Sequence, residues 1–185
     1  MDYLVAVQLH AKYNQWINER LYDTAERLTD AERRADQGAF FGSVLGTFNH
    51  LIVGDSIWLR RFLSAPIPAC ETVKASALAW LPEPPSLDAM LYPDWTNLRA
   101  TREQIDQFLI QWTSSLTSEN LDHTLNYRNT QGRPFARPLG QLLVHFFNHQ
   151  THHRGQVTTL LFQSGVDPEL TDLLAVIPDV QDKSQ

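Results

Sequence analysis

Four stretches of this chain repeat apolar residues at spacings of three and four, and each runs for more than twenty residues. That recurrence is the period of a helix with one buried face, so it confines the chain to a mainly helical fold. The first predicted helix covers 3–28, with Leu4, Val7, Ala11, Asn14, Asn18, Leu21 and Ala25 on one side and neither Gly nor Pro inside it. A second covers 42–64, striped by Leu45, Phe48, Ile52, Leu59 and Phe62 and ended by Pro66 and Pro68. The third runs from Asp94, a suitable N-cap, to Leu116, and buries Trp95, Leu98, Ile105, Phe108, Leu109 and Trp112. A fourth spans 138–164, with Pro138 in its first turn, Gly165 at its C-terminal cap and Leu142, Phe146, Phe147 and Leu160 in the core.

Between the third and fourth helices the pattern changes. Residues 123–137 alternate polar and apolar around Asn129-Thr130-Gln131-Gly132, which predicts a small β-hairpin. Thr29–Gly38 and the Pro-rich stretch 65–86 read as loops, with a short turn near Leu87 to Met90. Asp167-Pro168 opens a last short helix over about 168–176, closed by Pro178. The expected fold is all-α: a four-helix bundle with a hairpin before the last long helix and a short C-terminal helix, forming one domain over 1–185.

Charge excludes some functions. The chain has 15 Lys and Arg against 21 Asp and Glu, a formal net charge of −6, and no dense basic block. Neither nucleic acid nor an anionic membrane is an expected partner. No apolar run is long enough to span a bilayer, and the N-terminal segment does not read as a signal peptide. Cys70 is the single cysteine, so no internal disulfide forms and its thiol reads as incidental. The expected compartment is the cytoplasm.

Histidine is the unusual component. Four of the seven histidines fall in the fourth helix, at 145, 149, 152 and 153. Residues four apart lie one above the other on a helix face, so His145 with His149, or His149 with His153, can reach one metal ion. His149 with His152 is a third workable pair, and spacing does not choose among them. A helical bundle completes such a site from a facing helix. His50, in the middle of the second helix, is the best donor; His10 and His123 lie nearer element ends. Gly42, Gly46, His50 and Gly54 form an i, i+4 row. An interior glycine costs about 1 kcal/mol relative to alanine, so this row implies a close approach by a metal ion, a ligand or another helix. Gly155 repeats the theme beside His153.

The segment His145-Phe-Phe-Asn-His149-Gln-Thr-His-His153-Arg-Gly-Gln156 resembles the signature of the DinB-like superfamily of damage-inducible-type metalloenzymes. These are unrelated to the DNA polymerase that shares the name. The similarity continues through Gly165-Val166-Asp167-Pro168 and Asp172-Leu173-Leu174. It also includes Tyr13-Asn14-Gln15-Trp16, Asn49-His50-Leu51 with Asp55, and the hairpin from Leu125 to Arg137. The resemblance implies a bundle with three histidines on one divalent ion, nickel or zinc: His50, His149 and His153. The choice of His153 over its neighbours comes from the resemblance alone. It also implies a homodimer, and relatives that are thiol-dependent transferases or isomerases.

Three neutral imidazoles leave a coordination position open, the arrangement of a catalytic rather than a closed structural site. The expected function is therefore a metal-dependent enzyme that activates a low-molecular-weight thiol, or water, against a small electrophile. Two alternatives stand beside it: a non-catalytic metal or ligand binder, with His145 or His152 as fourth ligand, and a structural dimer whose histidines merely pack. Asn49, Asp55, Asn148 and Gln156 are candidates to orient the ligand rings. Asp55 lies about 140° around the helix from His50 and reads better as a structural carboxylate. Asn14 and Asn18 either face the site or bond within the bundle. Arg154 points about 100° away from His153, toward the surface or an interface. Trp16, Trp58 and Trp95 are expected in the core.

Overall fold

The computed structural model describes residues 2–179. Its frame is four long helices: α1 (Tyr3–Glu26), α3 (Val44–Phe62), α5 (Trp95–Ser115) and α7 (Leu139–Gln163). α1 and α3 each lie against both α5 and α7, so every long helix has two long neighbours. Between them sits a continuous core in which Leu21, Phe48, Ile52, Phe62, Leu98, Ile105, Leu109, Trp112, Phe146 and Leu161 are at most 1% exposed. α3 is buried on nearly every side, whereas the others keep a polar face. None of the described helices is long and apolar enough to cross a membrane.

Local chemistry sets the ends. Asp2, Ser43 and Asp94 cap α1, α3 and α5, each accepting a hydrogen bond from a backbone N–H of the first turn. After α7, Gly165 adopts φ +81°, and the Val166 and Gly165 amides donate to the carbonyls of Leu161 and Phe162. This closes the helix with a Schellman turn that a glycine makes possible. Strands β1 (Thr124–Arg128) and β2 (Pro134–Pro138) form the expected antiparallel hairpin, pairing Tyr127 with Phe135 and Leu125 with Arg137.

Three stretches differ from expectation, and a fourth, on which the sequence pattern is silent, adds a helical turn. The stretch 65–86 contains a helix, α4 (Pro68–Trp80), which packs on α5 and buries Ala69, Cys70 and Ala77. Pro68 opens it rather than closing its predecessor, because a proline at the first helical position lacks only an N–H that would be unpaired anyway. The stretch 29–38 holds a short helix, α2 (Asp30–Arg34), started by a reciprocal Thr29–Glu32 capping box. A one-turn helix, α6 (Ser118–Leu121), precedes the hairpin. The expected helix over 168–176 reduces to a 3-10 turn, Leu173–Val176, since Glu169 takes φ +60° and cannot continue a right-handed helix. That segment is instead tied to α1 by the Tyr13 hydroxyl on the Thr171 carbonyl and by an Arg20–Glu169 ion pair.

Candidate metal centre

α3 and α7 run in opposite directions and set two rows of residues face to face. His50, Gly54 and Trp58 on α3 meet His153, His149 and His145 on α7. The His50 and His153 ring centres are 4.4 Å apart, and those of Trp58 and His145 5.0 Å apart. Between these pairs, a β-carbon on Gly54 would stand 2.7 Å from Cε1 of His149. The close approach implied by the glycine row is thus real at position 54, and what approaches is the His149 ring. The other glycines have different reasons. Gly46 passes the Phe41 carbonyl, Gly42 lies before the helix at φ +74°, and Gly155 has open space beside it.

His50, His149 and His153 each offer a ring nitrogen, and the three nitrogens lie within 4.8 Å of one another. His50 and His153 are 7% and 9% exposed. The Nδ1 of His50 donates to the Leu87 carbonyl at 2.9 Å, and the Nδ1 of His153 donates to Oε1 of Gln156 at 2.8 Å. With both Nδ1 protons committed, both Nε2 atoms carry lone pairs, and they face each other at 3.2 Å. Two lone pairs so placed repel unless a cation lies between them. Nitrogens bound tetrahedrally to one zinc ion at about 2.0–2.1 Å would stand about 3.3 Å apart. The donor set therefore fits a borderline divalent ion such as zinc or nickel. Burial lowers the pKa of all three rings and takes His149 down to about 3, helped by the charge its neighbours would carry. At neutral pH the rings are uncharged, as ligation requires.

The remaining histidines stay outside the trio. His145 is exposed and edges against Trp58, with its ring centre 6.3 Å from that of His149. His152 is exposed, and His10 stacks on Phe147 between α1 and α7. On the open side of His50 is a cavity of about 220 Å³ lined by Phe40, Phe41, Asn49, Asp88 and Met90. The Phe41 ring stacks on His50 at 3.8 Å.

Beneath the histidines is a buried polar network. Asp55, which is 0% exposed, accepts from Nη1 of Arg102 at 2.5 Å and from the Gln150 amide. Asp106 accepts from Arg102, Asn14 and Asn18. Asn14 in turn accepts from Arg154, whose other Nη donates to Thr151. Two carboxylates and two guanidiniums make the group neutral as a whole. It ties α7 to α1 and α3, and both to α5, through residues that alternate with the histidines along α7. The expectation of a structural role for Asp55 agrees with this, and Asn14 and Asn18 bond within the fold rather than facing the site.

The surface or interface role expected for Arg154 is overturned: it is 4% exposed. Its 100° offset from His153 turns it toward α1, which covers that side of α7. Of the residues expected to orient ligands, Gln156 touches His153, whereas Asn148 lines the groove between α1 and α7. Asn49 acts indirectly, exchanging hydrogen bonds with Tyr92 and so holding the loop that carries the Leu87 carbonyl. Sequence reasoning missed Leu87, which acts through its backbone, and Phe41. It also missed Arg102 and Asp106, an oppositely charged i, i+4 pair set among the apolar residues Leu98, Ile105 and Leu109. That interruption of a buried stripe was the available signal.

Residues 4–181 match the DinB family. The chain is similar to the protein DinB of Bacillus subtilis strain 168, 26% identical over 165 residues and 87% of each chain. It is also similar to YrdA, an uncharacterized protein of the same strain, 36% identical over 76 residues covering 40% of this chain and 44% of YrdA. A crystal structure of a DinB-like protein from Bacillus cereus ATCC 10987 has the same fold, with a TM-score of 0.50, 22% identity, and coverage of 86% of this chain and 91% of that one.

Proposed function

The chain belongs to the DinB family, and from that premise we propose that its four long helices form a single metal-binding bundle in which His50, His149 and His153 hold one divalent ion. The observation that carries this reading is the pair of Nε2 lone pairs facing each other at 3.2 Å, with both Nδ1 protons engaged elsewhere. Zinc and nickel both suit three imidazoles.

The site is read as open and catalytic. His145 and His152 lie outside the group of nitrogens within 4.8 Å of one another, so neither closes the coordination sphere. A bound ion would lower the pKa of a thiol or water placed at the vacant position. The protein's own contribution is positional. Leu87 and Gln156 fix the tautomers of two ligands, and Gly54 makes room for the third. Phe41 shields one face of His50 from water. A thiol that the ion itself deprotonates needs no separate general base, and a small thiol is taken as the nucleophile on that ground. The reaction class proposed is metal-dependent thiol transfer to a small electrophile, in a cytoplasmic protein that forms homodimers.

The test is a turnover screen of nickel- or zinc-loaded protein with small thiols and electrophiles, beside His153→Ala. Metal-dependent turnover abolished in the variant is the expected result. Metal binding without turnover toward any pair would leave a non-catalytic binding protein.

A further inference from the structure

One charged group outside the trio has no role in the reading above. The side chain of Arg61 is half-buried, with its guanidinium 4.7 Å from the centre of the Trp58 ring and 5.2 Å from that of Tyr127. Arg137, on β2, lies 4.7 Å from the centre of the Phe135 ring, which stacks on Tyr127. Neither arginine forms an ion pair among the described residues, although the chain carries 21 carboxylate side chains. Burial, and after it the nearby charges of Arg137 and Arg61, lower the pKa of His145, whose ring edges against the same Trp58 that Arg61 covers. Arg61 is held partly out of water without an anion, which is costly, and the aromatic faces recover only part of that cost. Arg137 adds an exposed positive charge along the same run of rings.

Position says which kind of anion suits them. His145 is the next residue along the row that holds His153 and His149, with its ring centre 6.3 Å from that of His149. His145 and the nearest ring of the trio are thus about one helical turn apart, on one continuous face of α7. We infer that Arg61, Arg137 and His145 form an anion subsite that receives the carboxylate of a small substrate whose reactive end lies at the trio. Guanidinium suits a carboxylate because its planar N–H groups pair with both oxygens, and the Trp58 and Tyr127 rings fix its plane. The substrate class is then a short anionic molecule, such as a mercapto acid. This inference rests on the metal reading for the reactive end but not for the anion end.

The test separates the two. Nickel-loaded protein is titrated with mercaptopropionate and, separately, with mercaptoethanol, and thiolate-to-nickel absorption reports binding. Mercaptopropionate is expected to bind about tenfold tighter, as a charge-assisted hydrogen bond allows. The preference should vanish in Arg61→Gln and in Arg137→Gln, with nickel content unchanged. Arg137 is exposed, so its substitution leaves the core intact. Equal affinities in the wild type, or a preference that survives both substitutions, overturns the subsite. If nickel does not load, the metal reading has failed separately. Metal-free protein titrated with succinate then decides the subsite: the side-chain N–H resonances of Arg61 and Arg137 should shift saturably, and unmoved resonances overturn it.

Discussion

At position 54 a β-carbon would stand 2.7 Å from Cε1 of His149, closer than packed atoms approach. Gly54→Ala must therefore displace the ring while improving the helix propensity of α3. The expected outcome is a loss of metal affinity of at least about tenfold, with the stability of the metal-free protein changed by no more than about 1 kcal/mol. Calorimetric metal titration and urea unfolding of the same variant measure the two effects. Gln156→Ala should weaken metal binding by about 10- to 100-fold, since it frees the Nδ1 of His153 and with it the ring orientation. A different residue tests the core. Burial pushes the Cys70 thiol up to about 11, and its Sγ is held against the Phe62 carbonyl. A raised thiol pKa means less thiolate at a given pH, so at pH 8 only roughly one molecule in a thousand is ionised. A disulfide-exchange reagent should leave the folded protein unlabelled at that pH and label it fully in denaturant; rapid labelling of the native chain would contradict this placement.

At the scale of the element, α7 does two jobs with two faces. His149 and His153 project toward α3, while Gln150 and Arg154, each one residue further on, reach Asp55 and Asn14. The His153-Arg154-Gly155-Gln156 run is thereby explained as a ring of the histidine trio, an anchor into the core and a support for that ring. Asp55→Ala removes the partner of a buried guanidinium, and removing one member of such a pair costs about 3–5 kcal/mol. That loss should appear as a lowered urea midpoint. The long helices and the hairpin were legible from periodicity and turn residues because those signals are local. α4 was not, because prolines at 66 and 68 mark a helix start and a helix stop alike. The trio was legible in part: i, i+4 spacing placed two of its rings on one face, and it is the packing of α3 on α7 that brings His153 rather than His145 to His50. Arg154 was misplaced because an angular offset does not say whether water or a neighbouring helix lies in that direction.

Over the whole molecule, metal binding and folding should be linked. The three nitrogens come from two helices that meet only in the folded state, so an ion that binds there stabilises the fold. The gain is about 2.7 kcal/mol at a hundred times the dissociation constant. Thermal unfolding with and without added zinc should show a rise in midpoint for the wild type and none for His153→Ala. The acidic balance of the chain, at a net charge of −6, leaves the cationic patch near His145 as a local feature rather than a general anion-binding surface. The central claim is most directly tested by elemental analysis of wild type and His153→Ala, purified side by side without chelator. About one zinc or nickel ion per wild-type chain, and a loss of it in the variant, is the expected result. A wild-type protein without metal, even after reconstitution, would contradict it.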